Sequence, residues 1–195
     1  MGTVILVRHG THDEVGKVLS GRSGIGLNDK GRAEAQALAR VLDGVAIASL
    51  HSSPRRRARE TVSWLAEGRG LSVRIAPELD EIDFGAFSGR EFATLDNDAN
   101  WVCWNARRGT ARCPGGESMR EAIDRVSAYV AALPPEDCPA VCVTHCDIIR
   151  GYVAQQLGLG LDRLFALDCD PGSRTTLEIS ADAVRLIALN ERASL

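Results

Sequence analysis

Short apolar, largely β-branched runs alternate with amphipathic stretches up to residue 158, and this alternation limits the fold more than any other feature of the chain. Thr3-Val4-Ile5-Leu6-Val7 reads as a buried strand that stops at Arg8-His9-Gly10. A helix follows, capped by Asn28 or Asp29, with Ala33, Ala37, Leu38, Val41 and Leu42 on one face and Gly44 at its end. A second strand occupies 46–50. Ser53 as N-cap and Pro54 at the first helical position start the next helix, which reaches about Glu67. A strand at 71–76 is stopped by Pro77. A helix from about Ser118 to Leu133 is stopped by Pro134-Pro135, and Ala140-Val141-Cys142-Val143-Thr144 leads into a helix from Asp147 to Leu157. Short strands are expected at 164–168, 174–179 and 184–189, with turns at Pro171-Gly172 and Ala181-Asp182. The pattern predicts a three-layer α/β/α fold with a largely parallel sheet and an antiparallel edge strand. The segment 88–112, which carries Phe92, Trp101 and Trp104, breaks the alternation. It reads as a small helical insertion, a cap over one end of the sheet, within a single domain spanning 1–195.

Composition narrows the partners. A net charge of −3 argues against nonspecific nucleic-acid binding, and no apolar run is long enough to cross a bilayer. The N-terminus lacks the features of a signal peptide, and six scattered cysteines without a CxxC pair read as free thiols. A cytoplasmic protein is the expectation. Arg55-Arg56-Arg57 with Arg59, and Arg107-Arg108, are basic clusters that read as solvated helix faces apart from Arg57. An exposed edge strand could pair in a homodimer or be covered.

Parallel strands deliver their carboxyl ends to one side of the sheet, where α/β proteins bind ligands. Arg8 and His9 close the first strand, Arg57 lies in the first turn of the helix after the second, and His145 closes the fourth. Two arginines, two imidazoles and helix N-termini suit a dianion such as phosphate. An imidazole in line with phosphorus can act as nucleophile, with arginines neutralising the equatorial oxygens. A departing alkoxide needs a proton. Glu81, acidic among apolar neighbours, is the best candidate donor; Asp80 and Asp83 are weaker ones.

Leu6-Val7-Arg8-His9-Gly10, Ser53-Pro54-Arg55-Arg56-Arg57-Ala58 with Thr61, Glu81-Ile82-Asp83-Phe84-Gly85, Pro114-Gly115-Gly116-Glu117-Ser118 and Val143-Thr144-His145 stand in sequence order. Together they resemble the histidine phosphatase superfamily, in its phosphoglycerate-mutase-like branch. The resemblance implies a phosphohistidine at His9 and a phosphoryl group held by Arg8, Arg57 and His145. It also implies Glu81 as proton donor and then base, with no metal and no cofactor. Ser20-Gly21-Arg22 matches the stretch that approaches substrate in the family, and the Cys146 backbone N–H can still point at phosphate. Thr11-His12 replaces the usual polar pair after Arg-His-Gly, Val15 stands where many members place Asn, and Cys146-Asp147 follows the second histidine in place of Gly-Gly or Gly-Asn. The resemblance also implies a longer insertion between Glu81 and His145 in the sugar-phosphate mutases, so the modest stretch here favours a phosphatase of small phosphorylated metabolites over a mutase.

Two other classes compete. A silent scaffold for phosphorylated partners would be expected to lose the nucleophile or the acid. A metal hydrolase would use His9, His12, Asp13 and His145, although His9 and His12 sit in a turn rather than on a helix. Elsewhere His51 reads as a hydrogen-bonded strand-end residue with a minor substrate role left open. Trp101 and Trp104 read as packing of the insertion, Arg55, Arg56 and Arg59 as surface charges, and Arg150 as a structural ion-pair former.

Overall fold

A computed structural model describes residues 2–180 and 183–194; the turn expected at Ala181-Asp182 therefore lies outside the described residues. Six strands form one sheet: β1 (Gly2–Arg8), β2 (Ser49–Ser52), β3 (Val73–Ile75), β4 (Ala140–Thr144), β5 (Arg174–Ile179) and β6 (Val184–Glu191), in the order β3-β2-β4-β1-β5-β6. β1, β2, β3 and β4 are mutually parallel, and β5 runs antiparallel to both β1 and β6. Register positions the site. Arg8 lies opposite Thr144 and Ser52 opposite Val143, so β1, β2 and β4 end nearly level. The next residues, His9, Ser53 and His145, emerge side by side. The His9 N–H donates to the Thr144 carbonyl at 3.1 Å and the Ser53 N–H to Val143 at 2.9 Å.

Strand alternation sends side chains to opposite faces. Ile5, Val7, Leu50, Val141 and Val143 pack with α1 (Asp29–Leu42) and α2 (Arg56–Ala66). Val4, Leu6 and Cys142 pack on the other face with α5 (Met119–Ala131) and α6 (Cys146–Gln156). Asn28 is the cap of α1, accepting from the Gly31 N–H at 3.0 Å. Ser118 and Glu121 form a reciprocal capping box on α5. Leu38, Leu42, Ile123 and Val126 are fully buried, each contributing about 1.5–3 kcal/mol by leaving water.

Several local expectations shift. Residues 164–168 are not a strand: Leu161–Ala166 is a 3-10 turn, because Leu161, Leu164 and Leu167 recur every third residue and turn inward together. The second strand starts at Ser49 rather than 46, where pairing with Ala140 begins, and β3 keeps only Val73–Ile75. Ala33 and Val41 of α1 face outward, and Glu34 takes an inward position because it anchors Thr11, through bonds of 2.7 and 2.9 Å. Arg55 is the N-cap residue of α2, since Ser53 is used inside the site. Between β3 and α5 the segment 88–112 folds into two short helices, α3 (Phe92–Leu95) and α4 (Ala99–Ala106), which lean over the carboxyl end of the sheet and line the cleft there.

Candidate active site

The cleft at the ends of β1 and β4 has a volume of about 920 Å³. At its floor one guanidinium organises two imidazoles. Arg57 donates Nε to His9 Nε2 at 3.1 Å, and Nη2 to both His145 Nδ1 at 3.1 Å and the Gly21 carbonyl at 2.6 Å. A guanidinium only donates, so both ring nitrogens that face it must carry lone pairs. The opposite nitrogens agree. His9 Nδ1 meets the Gly10 carbonyl at 2.8 Å and His145 Nε2 meets the Ser53 hydroxyl at 2.8 Å. The partners thus assign His9 as the Nδ1–H tautomer, with a nucleophilic lone pair on Nε2.

Both rings stay neutral. Their pKa values fall well below 6.5, chiefly through burial and secondly through the Arg57 guanidinium. The Ser53 hydroxyl passes the hydrogen bond on to Asp80 Oδ1 at 3.2 Å, so an imidazole–hydroxyl–carboxylate chain fixes His145. Thr61 anchors the nucleophile's loop: its hydroxyl accepts from the Gly10 N–H at 3.0 Å and donates to the Arg57 carbonyl at 2.8 Å. Gly21 meets a separate requirement. Its φ is +49°, and a Cβ there would press on Ser88 Oγ at 3.0 Å.

Glu81 lies 3.8 Å from His145 Nδ1 through Oε2, and its Oε1 accepts from the Ile82 N–H at 3.0 Å. Burial first, then the nearby Asp147 carboxylate, raises its pKa from 4.5 to about 8, so it carries a proton at neutral pH. Asp80 is instead committed to Arg55, 3.0 Å away, and to the Glu81 N–H at 2.8 Å; Asp83 is half-exposed and accepts from the Gly85 N–H.

Of the positions singled out from sequence, Arg8, His9, Ser20, Gly21, Arg57, Glu81 and Cys146 line the cleft, and His145 lies fully buried behind Arg57. Arg8 donates Nη1 to the Cys169 carbonyl at 2.6 Å. Cys146 is the first residue of α6, where helix N–H groups lack intrahelical partners. Arg22 is the departure. Its side chain turns from the cleft to the Glu81 carbonyl at 2.9 Å and Glu117 at 3.0 Å, so it steadies the acid's backbone.

Other readings are corrected by packing. Arg55 is half-buried in its pair with Asp80 rather than a surface charge. Arg108 is 3 % exposed: it sits 4.1 Å over the Trp104 ring, 4.5 Å from Phe165, and donates to Asp147 at 2.6 Å. Arg150 gives Nε to the Leu167 carbonyl at 2.7 Å instead of forming an ion pair. His51 is buried between Tyr129 and Ser49, both at 2.7 Å, away from the cleft. Trp101 and Trp104 stack at 5.3 Å, and Trp101 also lines the cleft. Ser53, Asp147 and Arg108 escaped the sequence reading. Ser53 and Asp147 stood inside or beside quoted motifs, whereas nothing local marks Arg108 as buried.

Such a floor suits a phosphoryl group: it joins an unprotonated imidazole nitrogen, guanidinium donors and a protonated carboxylic acid. The chain belongs to the histidine phosphatase superfamily (branch 1), whose family model matches residues 4–192. It is 27% identical over 193 residues to the adenosylcobalamin/alpha-ribazole phosphatase of Escherichia coli, covering 96% of this chain and 95% of that one. It is 32% identical over 162 residues to a Cronobacter sakazakii protein named "probable phosphoglycerate mutase", covering 80% of this chain and 75% of that one. Its fold matches a mycobacterial glucosyl-3-phosphoglycerate phosphatase solved with VO3, with a TM-score of 0.84, 31% identity and complete coverage of both chains.

Proposed function

We propose that the protein is a phosphomonoesterase working through a phosphohistidine on His9. The observation that carries this reading is the orientation of the His9 ring in the cleft, with Nδ1–H on the Gly10 carbonyl and an unprotonated Nε2 set beside the Arg57 guanidinium. Nε2 attacks phosphorus in line as the P–O bond to the leaving group breaks. Arg8 and Arg57 balance charge on the equatorial oxygens, and His145 supports them. Glu81 gives its proton to the departing alkoxide. It then accepts a proton from the water that hydrolyses the phosphohistidine, releasing inorganic phosphate and restoring His9.

Beyond this floor the cleft is walled by Val15, Phe92, Trp101, Val102 and Phe165, room enough for a leaving group larger than glycerate. α3 and α4 act as a cap over the cleft within a single domain spanning 1–195. The six free thiols suit a reducing, cytoplasmic compartment, and the outer edge of β6 offers the surface for a homodimer.

Phosphate release from a panel containing alpha-ribazole phosphate, glucosyl-3-phosphoglycerate and 3-phosphoglycerate, in excess chelator, tests the reading. Metal-independent release that His9→Ala abolishes is expected. Isomerisation of 3-phosphoglycerate in the presence of 2,3-bisphosphoglycerate, without hydrolysis of any ester, would replace the phosphatase with a mutase.

A further inference from the structure

Three buried polar atoms of residues in the His9 cleft have no hydrogen-bond partner among the described residues: Arg8 Nε, His12 Nδ1 and Ser20 Oγ. All three residues line the cleft. Buried polar atoms are seldom left unpaired, and a cluster of them beside a nucleophile marks a place where a ligand completes the bonding. Arg8 and Ser20 already belong to segments read as contacting substrate. His12 does not, and its chemistry is unlike theirs.

The His12 ring is 5 % exposed, with its centroid 5.3 Å from that of His9 and the two planes inclined by 33°. Its backbone is held from both sides. The Thr11 N–H and hydroxyl bond Glu34 at 2.7 and 2.9 Å, the Asn28 N–H donates to the Thr11 carbonyl at 3.1 Å, and Asn28 Nδ2 reaches Asp13 at 2.9 Å. The Val15 N–H closes the turn on the His12 carbonyl at 3.1 Å. This clamp depends on Gly31, where a Cβ would stand 2.0 Å from the Thr11 carbonyl oxygen. These bonds fix the backbone on both sides of His12 and so hold its ring next to that of the nucleophile.

Burial, with the Arg57 and Arg8 guanidiniums next in weight, lowers the His12 pKa from 6.5 to about 4. Through the neutral range the ring is uncharged, with one N–H to give. It can neither add a cation to the site nor compete with Glu81 as an acid.

Building on the phosphohistidine reading above, we infer that His12 is a further ligand of the transferring phosphoryl group, donating a ring N–H to one of its oxygens while His9 Nε2 attacks. The proton stays on the imidazole throughout. The contribution is a directed hydrogen bond to an anion, and its loss weakens retention of any tetrahedral or trigonal oxyanion at the floor.

The test is calorimetric titration of the full chain with inorganic phosphate, for the parent protein, His12→Ala and His12→Gln, with thermal unfolding measured in parallel. His12→Ala is expected to bind phosphate about 10- to 100-fold more weakly at an unchanged Tm, with His12→Gln recovering most of the loss through its side-chain N–H. Phosphate affinity of His12→Ala within twofold of the parent overturns the inference. If His12→Ala fails to fold, the His12 ring ¹⁵N resonances of the parent decide. They must move on phosphate addition, and stationary resonances also overturn it. Neither readout needs turnover, so a protein that binds phosphate through His12 but hydrolyses no ester would sink the phosphatase and leave this assignment standing.

Discussion

Around His9 the polar groups are tied to several elements at once: His9 to the Gly10 carbonyl at β1's end, Arg57 to the Gly21 carbonyl in the following loop, and His145 to the Ser53 hydroxyl at the end of β2. The outer wall of the same cleft is assembled differently. There α4 meets the rest of the protein through the edge-to-face pairs Phe84–Trp104 and Phe87–Trp101 and one buried guanidinium, Arg108, clamped between Trp104, Phe165 and Asp147. The floor is set by strand register, which side-chain changes cannot easily alter. The wall is set by side-chain identity, which they can. Chemistry should therefore be robust to substitutions in the cap, and substrate choice should not be.

The largest test of that division falls on the floor. Glu81→Gln should lower kcat/KM by about 10²–10⁴ for alkyl phosphates, yet spare p-nitrophenyl phosphate, whose phenolate leaves without a proton. An equal loss for both esters would remove Glu81 from the role of acid. Arg57→Ala should cost about 10²–10³ in kcat, because the same guanidinium that holds both imidazoles also covers the oxyanion.

Where floor and wall meet, Asp147 is the joint, paired with Arg108 at 2.6 Å while its charge helps hold Glu81 up near 8. Asp147→Asn removes that negative charge, so the Glu81 pKa falls and the alkaline limb of kcat/KM moves to lower pH. Arg108→Ala leaves Asp147 unpaired and moves the limb the opposite way, with a loss of about 3–5 kcal/mol in stability. pH–rate profiles of the two variants that shift in the same direction would break this linkage. A smaller effect is expected for Trp101→Ala, which should change KM several-fold between bulky and small esters and leave p-nitrophenyl phosphate turnover nearly unaltered.

The smallest effect concerns stability against pH. His9, His12, His51 and His145 all titrate below 6.5 when folded, so the unfolded chain binds more protons as pH drops through 6.5 and stability falls. Glu81 has the opposite sign: raised to about 8, it binds its proton better when folded, and that contribution fades as pH rises from 4.5 towards 8. Four groups outweigh one, so denaturant midpoints should climb through pH 6.5 and ease slightly above about pH 7. Midpoints that stay flat or fall between pH 5 and 6.5 would contradict the neutral, buried imidazoles, and a rise continuing to pH 9 would contradict the raised Glu81.

The floor was legible in the sequence for the same reason that it is rigid. Arg8, His9 and His145 sit where strand periodicity ends, and parallel strands must present those ends together. The wall was not legible. Arg108 follows another arginine in a polar stretch, and only the tertiary placement of Trp104 and Phe165 buries it. Ser53 carried the residue type of a helix cap and was read as one, although a buried imidazole at the end of β4 claims its hydroxyl. The stretch 164–168 misled because Leu164-Phe165-Ala166-Leu167 is a short apolar run like that of a buried strand, and the leucines at every third position from Leu161 belong instead to a 3-10 turn. Local pattern fixes the elements that repeat; long-range side-chain partners decide the others.

The central claim is a covalent bond between phosphorus and His9 Nε2. Alkaline quenching of the protein during turnover of p-nitrophenyl phosphate, followed by peptide mass spectrometry, tests it directly. An acid-labile phosphoryl group on the peptide containing His9, absent from His9→Ala, is the predicted result. Continued hydrolysis with that peptide unmodified, or with the label on another residue, would contradict it.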